Sequence, residues 1–182
     1  MDSGSDSERR RDFEGTVASV YPSLRRYLLR RADPATADDV LGDVLLVMWR
    51  RADHIPADAP LPWCYSIARG CLANSRRGVA RHLRLVRRLA ATAPAPPTSE
   101  SDDPELEAAL GALGADDREI LRLWAWEGLA PREIAVVFGI TPNAASIRLH
   151  RATSRLRSRY GSRQDPGAAG RSDEPYETEA PR

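Results

Sequence analysis

Residues 91 to 104 read Ala-Thr-Ala-Pro-Ala-Pro-Pro-Thr-Ser-Glu-Ser-Asp-Asp-Pro. A segment so poor in large apolar side chains cannot bury enough surface to offset the entropy of ordering it. Any core built by this 182-residue chain must therefore form from the sequence on either side. With 42% apolar residues, the chain has enough for one or two small cores. The expectation is two small domains, residues 13–90 and 105–160, joined by a flexible linker over 91–104. Residues 1–12 and the tail 161–182 read as disordered.

In both halves the apolar residues recur at helical spacing, and no stretch alternates with period two between turn signals. The fold class is all-α. A first helix runs from about Phe13 to Arg31, with Val17, Val20, Leu24, Tyr27 and Leu28 as its apolar stripe and a local distortion expected at Pro22. Asp33 can cap a second helix, with Pro34 at its first position and an end near Asp53. Three prolines make a loop of residues 53–62, and a third long helix starts near Trp63 and runs into the eighties, with Gly78 as its weak point. Beyond the linker, helices follow over 105–113, 116–126, 131–138 and 142–160. Asp116 and Glu119 have capping-box spacing there, and Gly128 and Gly139 sit where helices stop.

The net charge of +1 conceals a segregation. Residues 1 to 90 carry 16 arginines against 11 carboxylates, residues 91 to 117 carry 7 carboxylates and no base, and residues 118 to 163 carry 9 arginines against 3 carboxylates. Two basic blocks around an acidic spacer suit two surfaces meeting one polyanion. Ordinary solvated faces are the alternative, because the chain has no lysine and arginine serves every cationic purpose. No apolar run is long enough for a membrane span, and the N-terminus lacks the apolar segment of a signal peptide, so the expected compartment is the cytoplasm. Cys64 and Cys71 lie seven apart in one helix, where a mutual disulfide is sterically implausible and two ligands cannot close a zinc site. They read as buried small residues, and no metal or cofactor is expected.

Glu133 to Arg151 has the features of a helix-turn-helix, with small Ala135 permitting a close crossing and Gly139 taking the turn. On its second helix Ala145, Leu149, Ala152 and Leu156 share one stripe, leaving Asn143, Ser146, Ile147 and His150 outward, where they could face bases. Arg148, Arg151 and Arg155, together with Arg132, are placed to grip phosphates beside a groove. The alternative is an αα-hairpin with a solvated basic face. In the second helix Asp39, Asp43, Leu46 and Arg50 form a narrow mixed stripe that suits a protein partner, beside a separate apolar face of Leu41, Val44, Leu45 and Met48. In the third, Cys64, Ile67, Ala68, Cys71, Leu72, Val79 and Val86 lie roughly opposite Arg69, Arg76, Arg84 and Arg87, and there is no acid from Arg69 to Arg88. Nucleic acid suits that face better than a membrane surface, since packing on the first two helices accounts for its apolar stripe.

These segments carry a resemblance. Ala37-Asp-Asp-Val-Leu-Gly-Asp-Val-Leu-Leu-Val-Met-Trp-Arg50, Leu61-Pro-Trp-Cys-Tyr-Ser-Ile-Ala-Arg69 and Glu133 to Arg155 resemble the extracytoplasmic-function sigma factors of bacterial RNA polymerase, in the family's order and over residues 13 to 160. The resemblance implies a region 2-like domain followed by a region 4-like domain. It places Asp39, Asp43, Leu46 and Arg50 at the β′ clamp helices of core polymerase. It places Trp63, Arg69, Asn74, Arg76 and Arg77 at minus 10 DNA, with the preceding loop capturing a flipped base, and the helix-turn-helix at the minus 35 element. The β flap and an anti-sigma factor are further partners it implies. Gly42 stands where the family usually has Gln, Gly70 where Asn is common, Ser146 where Lys is common, and Ala130 where Ser or Thr caps the helix.

Two other classes compete. A stand-alone regulator would share the helix-turn-helix but needs a dimer interface or ligand pocket, and the sequence suggests neither. An enzyme would need convergent catalytic groups, whereas His54, His82 and His150 are scattered and no Gly-rich phosphate loop occurs.

Overall fold

The computed structural model describes the backbone of residues 3–89 and 103–164, and the side chains of residues 7–81 and 103–160. Every regular element among them is helical: α1 (Ser3–Leu29), α2 (Pro34–Arg50), α3 (Pro60–Leu89), α4 (Pro104–Gly111), α5 (Ala115–Ala125), α6 (Pro131–Phe138) and α7 (Pro142–Gln164), with a 3₁₀ turn at Ala52–His54. The linker reading and most of the tail reading fall outside the described residues, as do the side chains of Arg84, Val86 and Arg87.

Helices α1, α2 and α3 pack on one another and bury Val20, Leu24, Tyr27, Leu28, Val40, Val44, Met48, Cys64, Tyr65 and Leu72. Tyr27 and Tyr65 stack with ring centroids 4.6 Å apart at the centre of this bundle. Asp33 caps α2 by accepting the Thr36 N–H at 3.0 Å, and Pro34 takes the first helical position, where its missing N–H costs nothing. In the second group α7 is the spine against which α4, α5 and α6 lie. Leu110, Leu113, Leu121 and Ala152 form a small core there, capped at its start by Asp103, which accepts from the Leu106 N–H at 2.9 Å.

Several expectations are corrected. α1 starts at Ser3, well before Phe13, because Arg9 finds partners in Asp53 (3.3 Å) and the Trp49 ring (5.4 Å) and so ties the helix start to the end of α2. α2 stops at Arg50 and the chain tightens into the 3₁₀ turn before His54. Neither Pro22 nor Gly78 interrupts its helix. The Asp116–Glu119 capping box does not form: Gly114 is the N-cap without a side-chain bond, and both carboxylates turn toward the first helical group. Beyond those expectations, the two halves pack against each other. α6 packs along α3, and one continuous apolar cluster joins Tyr27, Tyr65 and Leu72 to Ile120, Leu123, Leu129, Ile134 and Val137. Short helices such as α5 and α6 cannot bury two apolar faces within so small a group, and the second face is covered by the other half.

Candidate polymerase and nucleic-acid interface

On α2 the core-facing stripe is Ala37, Val40, Leu41, Val44 and Met48. The opposite side carries Asp39, Asp43, Leu46 and Arg50, all exposed, with Leu46 left 47% accessible. Neither acid nor Arg50 has an ion-pair partner among the described residues, although the neighbouring Asp38 pairs with Arg25 at 3.7 Å. This face is mixed acidic, apolar and basic, and its charges are uncommitted among the described residues. Gly42 lies on this exposed side, and a Cβ there would meet open space, so no steric demand keeps a larger side chain out.

The helix-turn-helix is formed by α6 and α7. Gly139 ends α6 in the left-handed region at φ 62°, which an L side chain adopts only under strain, and Ile140 closes the turn by donating to the Ala135 carbonyl at 3.0 Å. Ala130 has no side chain able to cap α6, but Glu133 reaches back to accept the Ala130 N–H at 2.8 Å. Thr141 Oγ accepts the Ala144 N–H at 3.2 Å and so starts α7. Ala145 and Ala152 are fully buried and Leu149 and Leu156 half-buried, while Asn143, Ser146, Ile147 and His150 are exposed along the other side. Ser146 donates back to the Pro142 carbonyl at 3.1 Å. Arg132, Arg148 and Arg151 are exposed and uncommitted to any ion pair among the described residues, whereas Arg155 is already paired with Asp117.

The face of α3 is different. Arg69, Asn74, Arg76 and Arg77 come together around a cleft of about 570 Å³ whose other wall is Tyr27, Arg31, Asp116 and Glu119. Trp63 is not among them: it is half-buried against the apolar cluster at the start of α3. Arg69 donates to Asp116 at 2.7 Å and lies with its guanidinium carbon 4.2 Å from the Phe138 ring centroid. Arg76 donates to the Arg31 carbonyl at 3.0 Å, and Arg77 to the Asn74 side chain.

Sequence reasoning missed the network behind this cleft. Arg31, just after α1, is 2% exposed; its Nε donates to both Glu119 carboxylate oxygens (3.0 and 3.1 Å) and its Nη1 to Glu127 at 2.9 Å. Glu127, also 2% exposed, accepts from Arg30 at 3.2 Å, and the Tyr27 hydroxyl donates to Glu119 at 3.0 Å. Burial alone would lower the Arg31 pKa, but the negative charge of Glu119, with Tyr27 and the hydrogen bonds from both glutamates, carries it above the ordinary arginine value. Burial first, and Glu119 second, push the Tyr27 hydroxyl well above the usual tyrosine range. A signal was available: residues 118 to 163 hold only three carboxylates against nine arginines, and Glu133 alone is used within its own helix turn.

On the far side of the second group, Leu106, Leu110, Leu121, Trp124, Trp126 and Leu156 line a shallow apolar groove, with Trp124 and Trp126 respectively 49% and 41% exposed. No described helix is long and apolar enough to cross a membrane.

Three comparisons bear on this arrangement. The family model for sigma-70 region 4 matches residues 104–156. The RNA polymerase sigma factor CarQ of Myxococcus xanthus is 34% identical over 159 residues, covering 82% of this chain and 89% of CarQ. Among solved structures, the sigma factor RpoE in complex with the anti-sigma factor NepR from Bartonella quintana superposes with a TM-score of 0.62 at 22% identity, over 83% of this chain and 98% of that one. CnrH in complex with the cytosolic domain of CnrY gives 0.57 at 23% identity, over 87% and 91%. These two likenesses concern the fold.

Proposed function

For a chain that belongs to the RNA polymerase sigma factors of the extracytoplasmic-function group, we propose a division of labour along its helices. The α2 face of Asp39, Asp43, Leu46 and Arg50 docks on the β′ clamp helices of core polymerase. The arginines of α3 act on minus 10 DNA, with Asn74 beside them and Trp63 at the entry of the helix. The α6–α7 pair lies in the major groove of the minus 35 element: Asn143, Ser146, Ile147 and His150 face base edges, while Arg132, Arg148 and Arg151 hold phosphates and Arg155 joins them on leaving Asp117. The apolar groove with Trp124 and Trp126 suits the β flap. An anti-sigma factor, the partner of RpoE in its complex with NepR, is a candidate regulator of this chain as well.

The observation that carries this reading is the α2 face, since four uncommitted side chains opposite a fully buried stripe have no structural task within the chain. Residues 13–90 and 105–160 are then functional halves, one for core and minus 10, the other for minus 35. Family members are initiation factors rather than catalysts, and the chemistry of this chain is recognition. Co-purification with core polymerase tests the reading: the full chain should join core at one copy per enzyme. A chain that binds promoter DNA alone yet stays free of core would replace it with a stand-alone regulator.

A further inference from the structure

The groove between α4, α5 and α7 holds about 130 Å³, and among its lining side chains Arg122 is the single charged one. Two half-open indoles, Trp124 and Trp126, stand at its wall. An aromatic ring of that size removes about 150 to 250 Å² from water when covered, so the pair is a strong attractor for another apolar group. Arg122 adds an independent sign. Its Nε is buried without a hydrogen-bond partner, no carboxylate pairs with it among the described residues, and its guanidinium carbon lies 5.1 Å from the Trp126 ring centroid. Burial, and after it the positive charge of Arg31, hold its pKa below the ordinary arginine value. Arg118, one turn earlier on α5, spends its donors on the carbonyls of Leu110, Gly111 and Leu113, so its charge also lacks a carboxylate. Of the acids in electrostatic reach of Arg122, Glu119 is committed to Arg31, and Glu107 forms no ion pair with it. The groove therefore suits an aromatic side chain with carboxylates beside it.

Two stretches of this chain adjoin the groove in sequence, residues 90–102 before α4 and residues 165–182 after α7. The first contains no aromatic residue and no Leu, Ile, Val or Met. The second includes Asp173-Glu-Pro-Tyr-Glu-Thr-Glu179, a single aromatic, Tyr176, among four carboxylates. We propose that Asp173 to Glu179 docks in the groove of its own chain, with the Tyr176 ring against Trp124 and Trp126 and the flanking carboxylates toward Arg122 and Arg118. The reach is sufficient. α7 passes the groove at Leu156 and ends at Gln164, about 12 Å further along its axis. The twelve residues from there to Tyr176 span up to about 40 Å when extended, more than three times the return distance. A tether of this kind holds the segment at an effective concentration on the order of millimolar, so a weak contact is enough to fill the groove. In the sigma-factor reading the β flap takes the same groove, so tail and flap exclude one another there; the contact itself does not rest on that reading.

The indole N–H signals of the isotope-labelled full chain test the contact, because two of its four tryptophans line the groove and the others, Trp49 and Trp63, belong to the first helical group. Tyr176→Ala should shift the Trp124 and Trp126 signals and leave those of Trp49 and Trp63 in place. Tyr176→Phe, which keeps the ring, should hold the wild-type positions. Glu174→Gln with Glu177→Gln should move the groove pair in the same direction but less far, and raised salt should move the wild type likewise, since exposed charge pairs are screened. A synthetic peptide of residues 171–182, added at about 10 mM to the Tyr176→Ala chain, should return the pair to wild-type positions. Unmoved signals in Tyr176→Ala overturn the proposal, as does a peptide without effect. Wild-type signals that change on dilution would assign the occupant to a second copy and overturn the contact within one chain. All of this is read on the free protein, so failure to bind core would remove the β flap from the groove without touching the outcome for the tail.

Discussion

Two charged faces in the first helical group, one on α2 and one on α3, have different fates. Asp39, Asp43 and Arg50 on α2 remain in water without partners, whereas Arg69 and Arg76 on α3 are met by Asp116, Phe138 and the Arg31 carbonyl. A charged stripe in the sequence therefore does not say whether water or another helix will meet it. Asp39, Asp43 and Arg50 on the α2 face have no ion-pair partner among the described residues and are left to water. The α3 face finds its complement at home, in Asp116 and the Phe138 ring of the second group and the Arg31 carbonyl of the first.

The largest effect should come from the open face. Reversing Asp39 and Asp43 to Arg should weaken core binding by about 30-fold or more, the scale of a hot-spot loss, while thermal stability stays within about 0.5 kcal/mol of the parent because exposed charges contribute little. Undiminished core affinity would break the comparison at its stronger end. On α7, changing Asn143 or Ser146 to another polar residue should shift base preference at single minus 35 positions by about 1 to 3 kcal/mol, whereas Arg148→Ala should weaken all sequences alike and reduce the salt slope by about one unit. Titration of minus 35 variants at several salt concentrations separates the two, and a uniform effect of Asn143 changes would remove it from base reading. At the covered face the effect is smaller: replacing Arg76 and Arg77 by Ala should slow promoter opening about fivefold, the scale of two exposed charge contacts, as read by permanganate footprinting at equal core occupancy. The smallest changes concern local structure. Ala130→Ser should complete the cap beside Glu133 and stabilise by about 0.5 to 1 kcal/mol, and Gly70→Ala, into open space on α3, by a similar amount, both visible as a raised melting temperature.

Helix positions were largely legible because apolar spacing, the Asp33-Pro34 start and the Gly139 stop are local signals. The outward set on α7 was legible for the same reason, since the burial of Ala145 and Ala152 decides which side Asn143 and Ser146 take. What was not legible is non-local. Asp116 and Glu119 have capping-box spacing, and nothing within α5 reveals that partners from α1 and α3 would outbid the backbone. Arg31 read as the polar end of a helix and is instead one of the least exposed charged side chains. The start of α1 was missed because its support, the Arg9 contacts to Asp53 and Trp49, comes from residues some forty positions away. Trp63 packs half-buried at the start of α3, a placement that the amphipathic pattern of the helix leaves ambiguous.

The Cys64 thiol, sealed beside the Met48 sulfur at 3.7 Å and pushed by burial up to about 12, supplies the chain with an internal clock. Burial keeps the thiol protonated while the bundle stays shut, so an alkylating reagent must wait for α1, α2 and α3 to come apart. Separation of the two helical groups leaves those three helices packed and should leave that waiting time unchanged. Labelling kinetics at Cys64 would therefore time the breathing of one bundle while the rest of the molecule moves unseen, and half-buried Cys71 on the same helix, reacting sooner, would mark time zero.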